Sequence, residues 1–159
     1  MHLAFELFVA MAKTRIQHVP YRGSPQAITD LLGKRVDFQM DTPAALMPLI
    51  RDGQLRAIAI TGSDRFFMLP NTPTIGNTVK GYVVTSWLGV AGPAGLLAPF
   101  VSRVNAELRA ILAEPAVIER LRGIGSEARP TTPEGFKALV VDDIAKWTKV
   151  VADAKIPKV

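Results

Sequence analysis

The sequence predicts an α/β fold with a mostly parallel sheet. Three observations carry this expectation. Short apolar runs begin near residues 16, 36 and 55, a recurrence of about twenty residues that matches one strand–loop–helix unit. Each of the first two runs leads to a hydroxyl residue followed by proline, Ser24-Pro25 and Thr42-Pro43. A hydroxyl at a helix start satisfies an orphan amide, and proline in the first turn gives up only an N–H that had no partner. The third run, Leu55–Ile60, is the most continuously apolar of the three, interrupted only by Arg56, as expected of a strand covered on both faces. Right-handed crossovers would make the three strands parallel and bring their following loops to one edge. Open α/β sheets bind ligands at that edge.

The elements follow in order. Leu3, Leu7, Phe8 and Met11 share one helical face, so a helix over 3–12 opens the chain. The strand Ile16–Val19 enters the loop Pro20–Gly23. The helix Ser24–Leu32 turns Ile28, Leu31 and Leu32 inward and ends at Gly33, read as a left-handed cap. The strand Val36–Met40 leads to Asp41, and the helix Thr42–Arg51 stops at Gly53. Residues 62–80 carry loop chemistry, with Leu69-Pro70-Asn71 and Thr72-Pro73-Thr74. Tyr82–Ala91 reads as one further, long strand, and Gly92-Pro93-Ala94-Gly95 as a linker. Helices Pro99–Leu112 and Pro115–Ile124 come next. The last helix starts at Thr131-Thr132-Pro133-Glu134, read as a capping box plus an N-terminal proline. Its stripe of Phe136, Leu139, Val140, Ile144, Trp147 and Val151 calls for a large apolar partner surface.

Composition narrows the function. The 159 residues are 48% apolar, enough for one domain with a real core. The net charge of +5 suits an anionic ligand, but the Lys and Arg residues are scattered, which describes a solvated basic surface better than a nucleic-acid footprint. Aromatic residues make up 7% and do not interleave with basic ones, so no base-stacking platform is expected. There is no cysteine, hence no disulfide or thiol chemistry, and His2 and His18 alone give no reason to expect a zinc site. No cofactor is expected. No leader with a basic region and cleavage site precedes the first helix, so an exported form would carry one upstream of Met1.

The candidate site residues are Tyr21, Gly23, Ser24, Asp41, Thr42 and Thr61, at the carboxyl ends of the three apolar runs. Two helix N-termini aimed at one edge would receive an anion. Ser24 and Thr42 are also plain helix caps in most proteins. Asp41 repels an ionised carboxylate, so it either meets a ligand amine, hydroxyl or bridging water, or holds its loop by accepting backbone hydrogen bonds. Arg22 reads as solvated and His18 as structural. His18, Ser24 and Asp41 could be imagined as a hydrolase triad, but nothing resembles a nucleophile elbow, and no enzymatic activity is expected.

Several phrases together resemble the C-terminal half of the substrate-binding proteins of tripartite tricarboxylate transporters, the Bug family. They are Val19-Pro20-Tyr21-Arg22-Gly23, Asp30-Leu31-Leu32-Gly33-Lys34-Arg35-Val36-Asp37, Leu55–Gly62, Leu69–Thr74, Trp87-Leu88-Gly89, Thr132–Phe136 and Lys146–Val151. The resemblance implies a periplasmic-binding-protein-like (type II) lobe over residues 14–85, preceded by a leading helix over 1–13. It implies a crossing segment at 86–95, and C-terminal helices over 96–159 that pack on the hinge and first lobe. It also implies a periplasmic receptor that closes on a small carboxylate (a dicarboxylate, a tricarboxylate or an amino acid) and presents it to membrane transporter subunits. Tyr21, Gly23 and Ser24 match one ligand loop and Asp41-Thr42 the next, although family members commonly carry Asn where Thr42 stands. The first lobe has no counterpart in these residues, which leaves apolar helix faces uncovered and predicts a homo-oligomer. Two other readings stay open: a non-binding relic that self-associates, and the effector domain of a transcription regulator. The latter would need a DNA-binding helix-turn-helix, and none is seen.

Overall fold

The computed structural model describes residues 1–154 and 156. They form six α-helices and one short 3-10 turn: α1 (His2–Ala12), α2 (Ser24–Leu32), α3 (Pro43–Arg51), the turn Ile75–Asn77, α4 (Ala98–Leu112), α5 (Pro115–Gly123) and α6 (Pro133–Asp153). The chain divides into two compact units, one of residues 1–85 with the described residues from 150 onward, the other of residues 86–149. No helix among the described residues is long and apolar enough to cross a membrane.

The first unit is organised around Tyr82, which is fully buried. Its hydroxyl donates to the carbonyl of Ala4 on α1 at 3.0 Å, and its ring meets Phe8 edge-on, with centroids 6.0 Å apart. Burial pushes the Tyr82 phenol up to about 12, because the phenolate would lose its hydration there. Ala4, Ala27, Met47 and Val84 are the other buried apolar residues of residues 1–85. Gly81 takes φ +83, a conformation that side chains rarely tolerate, and a Cβ there would touch Met11.

The parallel sheet is not seen. Among the described residues the one β-bridge is parallel and joins Ile60 to Thr74, through Ile60 N–H to the Pro73 carbonyl and Ile75 N–H to the Ile60 carbonyl, 2.8 Å each. Val84 N–H donates to the Thr61 carbonyl at 2.8 Å, so the third apolar run meets two later segments at its far end only. The runs Ile16–Val19 and Val36–Met40 form no ladder, and residues 35–37 bend. Tyr82–Ala91 likewise has no strand assignment. The physical reason is that an apolar run specifies extended backbone, whereas a strand also needs a neighbour whose N–H and C=O groups face it. The expectation that Leu55–Ile60 is covered on both faces fails for the same reason: Ile58 is 65% exposed.

Helix boundaries depend on local chemistry and follow the sequence more closely. Two end details differ. Gly33 has φ −76 and stays in the last turn of α2, while Lys34 takes the left-handed position at φ 56. The Arg35 amide then reaches the Asp30 carbonyl at 2.8 Å, the six-to-one bond of a Schellman ending. At α6 the capping box is not formed. Thr132, not Thr131, caps the helix by accepting the Gly135 amide at 3.1 Å, and Pro133 in the first position forces that register.

In the second unit, Trp87 donates to Asp143 Oδ2 at 2.6 Å and stands edge-on to Phe136, with centroids 5.2 Å apart. A Cβ on Gly89 would overlap the Phe136 ring. Asn105 on α4 donates to the Thr131 carbonyl at 2.9 Å, which holds the approach to α6.

Candidate ligand-binding site

Both expected helix starts exist, and both leave their hydroxyls unspent. Gly23, extended at φ 172, occupies the cap position of α2, so Ser24 is its first helical residue rather than its cap. Thr42 does sit at the cap of α3 (φ −74, ψ 151), yet its side chain makes no capping bond. The Ala45 amide that a cap would take instead donates to the Thr42 carbonyl at 3.1 Å. At α3 this leaves only the Ala44 amide of the first turn without a partner among the described residues, since Pro43 has no N–H and Ala45 is satisfied. At α2 no side chain caps the Ser24 and Gln26 amides, and each helix start has a hydroxyl beside it.

Tyr21 is tied to the helix that follows it. Its hydroxyl donates to Asp30 Oδ2 at 2.8 Å, and Arg35 Nη1 donates to Asp30 Oδ1 at 2.8 Å. The Arg35 hydrogen bond, then that from Tyr21, holds the Asp30 carboxyl below its ordinary range. The bond to Asp30, chiefly, raises the Tyr21 phenol. Beside this pair lies an open depression of about 360 Å³ lined by Tyr21, Gln26, Thr29 and Asp30. Thr29 turns its hydroxyl proton back to the Pro25 carbonyl at 3.0 Å, within α2.

Asp41 is engaged within its own loop. Its Oδ1 accepts the Thr42 amide at 2.8 Å and its Oδ2 accepts Gln39 Nε2 at 2.6 Å. Of the two roles open to Asp41, the geometry displays the loop-holding one. The other amide atom of Gln39, Oε1, is buried without a hydrogen-bond partner, so it presents an acceptor to any donor placed there. Thr61 is half-buried, with its carbonyl taken by Val84. Tyr21 is thus brought to α2, and Asp41 to Gln39 and Thr42. No hydrogen bond among the described residues links these two groups.

The structure adds Asp30, Thr29, Gln26 and Gln39 beside the candidate residues. Asp30 stands nine residues beyond Tyr21, a separation with no periodic meaning until α2 doubles back past its own entry loop. Gln39 differs, since it lies two residues before Asp41 and so on the same side of an extended chain.

Two proline-containing helix starts, each with a free hydroxyl, lie in a chain whose fold is that of half a periplasmic binding protein. The chain belongs to the tripartite tricarboxylate transporter receptor family: the model of the "Tripartite tricarboxylate transporter family receptor" matches residues 1–156. A Rhodopseudomonas palustris protein solved with adipate is similar at 35% identity and TM-score 0.85, over 97% of this chain and 52% of that one. The periplasmic binding protein BugD is similar at 31% identity and TM-score 0.82, over 99% and 54%. MatC from Rhodopseudomonas palustris, solved with bound malate, is similar at 28% identity and TM-score 0.78, over 94% and 52%. The chain spans about half the length of the curated relatives it matches first, 47% of a Pseudomonas sp. (strain P51) protein at 34% identity.

Proposed function

We propose that this chain carries the second ligand-binding lobe of an extracytoplasmic receptor. In this reading it takes one carboxylate of a small dicarboxylate, tricarboxylate or amino acid at Tyr21, Gly23, Ser24, Asp41, Thr42 and Thr61, for delivery to membrane transporter subunits. The observation that carries the reading is the pair of unspent hydroxyls, Ser24 and Thr42, each at a helix start. Family membership supports it, as do the adipate and malate of two structural relatives. The place of action is the periplasm, where the family's receptors work. No chemical step is assigned, since the family is one of receptors.

The expected affinity follows from the donors. A helix N-terminus contributes roughly 0.3–1 kcal/mol toward an exposed anion and about 2 kcal/mol in a favourable, partly buried site. Two termini plus one hydroxyl at about 1 kcal/mol reach at most about 5 kcal/mol. A millimolar complex needs about 4 kcal/mol and a micromolar one about 8. Tyr21 spends its proton on Asp30, which lowers the sum further unless the ligand displaces that bond. The chain by itself therefore binds at about millimolar or weaker, and a first lobe supplies the remaining donors. Calorimetry against adipate, malate and glutamate tests this. Weak saturable binding is expected; micromolar binding by a monomer would overturn the half-cleft reading.

Self-association belongs to the same proposal. Leu88, Leu97, Phe100 and Ile144 in the second unit are 99%, 75%, 57% and 61% exposed, and soluble monomers rarely leave large contiguous apolar patches open. In the absence of a first lobe a second copy covers them. Light scattering showing a monomer at high concentration would contradict it.

A further inference from the structure

We propose that His2, Glu6 and His18 bind a divalent transition cation of the zinc, nickel or copper class. The bound cation would clip α1 to the extended segment that leads into Tyr21. These are the two histidines of the chain, sixteen residues apart, and the fold brings them face to face. Their rings stack with centroids 4.1 Å apart and planes 9° from parallel. Glu6 lies one helical turn beyond His2, on the same face of α1, with its Oε1 at 3.2 Å from His2 Nε2. One ligand atom from each of the three side chains lies within 4.8 Å of the other two. Donors about 2.1 Å from a tetrahedral cation stand about 3.4 Å apart. The His2–Glu6 pair already meets that spacing; because imidazole lone pairs lie in the ring plane, the two exposed, stacked rings have to turn out of parallel to converge on one ion. Phe5 flanks the His18 ring at 5.6 Å and limits the directions in which it turns.

The donor set selects the ion. Two imidazoles and one carboxylate suit first-row divalent cations, whereas magnesium and calcium prefer oxygen alone. Three protein ligands leave coordination positions for water, so binding is reversible and of moderate strength. The consequence is local. His18 stands three residues before Tyr21, and a cation held by both α1 and His18 would restrict the entry to the Tyr21 loop. This inference rests on the imidazole geometry and stands apart from carboxylate binding.

The test is calorimetric titration of the whole chain with zinc chloride and with nickel chloride, alongside thermal unfolding at rising cation concentration. Saturable binding of one ion per chain is expected, with a melting temperature that climbs with concentration by mass action. His2→Ala and His18→Ala each weaken binding by at least about tenfold, the loss already produced by removing a group that only supports a metal ligand. His2 is an exposed first-turn residue, so His2→Ala keeps the test decisive even if the His18 variant folds poorly. Equal binding of magnesium chloride, unchanged zinc binding in His2→Ala, or no stoichiometric binding of zinc or nickel would each overturn the assignment.

Discussion

The Tyr21 hydroxyl donates to the Asp30 carboxylate at 2.8 Å, across nine residues of chain. This bond fastens the loop before α2 to the helix body, and Arg35 grips the other oxygen of the same carboxylate. The loop that carries Gly23 and Ser24 is thereby tied to the body of α2.

The pH dependence of this link has a definite sign. Asp30 has a folded-state pKa below its ordinary 3.8, from the Arg35 hydrogen bond first and the Tyr21 bond second. Its contribution is therefore fully present above 3.8 and is lost as pH falls through the lower folded value. Asp30 carboxyl shifts followed by NMR should give a midpoint below 3.8 in the native chain, and Tyr21→Phe should move it part of the way back. A midpoint at or above 3.8 would mean the link does not persist in solution.

Tyr82 supplies a stability test in the first unit. Tyr82→Phe removes the hydroxyl that reaches the Ala4 carbonyl and should cost about 0.5–1.5 kcal/mol. Tyr82→Ala also empties the centre of the core and should cost about 3–5 kcal/mol. Urea unfolding measures both. Equal, small losses would show that this residue is not the centre of its unit.

Gly89 makes the corresponding test in the second unit. A methyl group there would overlap the Phe136 ring, so Gly89→Ala should destabilise by about 1–3 kcal/mol through overpacking. The loss should shrink when Phe136→Leu makes room, which a double-mutant cycle reads directly. Additive losses would indicate that the two residues are not in contact.

The helices were legible because their signals are local. Ser24-Pro25 and Thr42-Pro43 mark the starts of α2 and α3, the expected helices Pro99–Leu112 and Pro115–Ile124 lie within a residue of α4 and α5, and Pro133 opens α6. The sheet was not legible in the same way. Val36–Met40 alternates apolar residues with Asp37 and Gln39 and favours extended backbone, but nothing within five residues says which backbone will face it, and no ladder forms. Chemistry at the candidate site divides along the same line. The Asp41–Thr42 contact joins adjacent residues, as the loop-holding role expected of Asp41 requires. The Tyr21–Asp30 bond and the His2–His18 stack depend on how α2 and α1 fold back against extended segments, and spacing alone does not report that. The capping register at Thr132 turned on Pro133, whose preference for the first helical position outweighed the Thr131…Glu134 pattern.

On the proposed function, a small carboxylate is received at the starts of α2 and α3. Amide chemical shifts of the labelled chain, followed during titration with adipate, test it most directly. Saturable shifts are expected at Gly23, Ser24, Asp41 and Thr42, with a midpoint at about millimolar, and loss of the Asp41 and Thr42 response when Gly23 and Ser24 are both replaced by proline, which has no N–H to offer an anion. Shifts confined to residues outside these two helix starts, or none at saturating adipate, malate and glutamate, would contradict it.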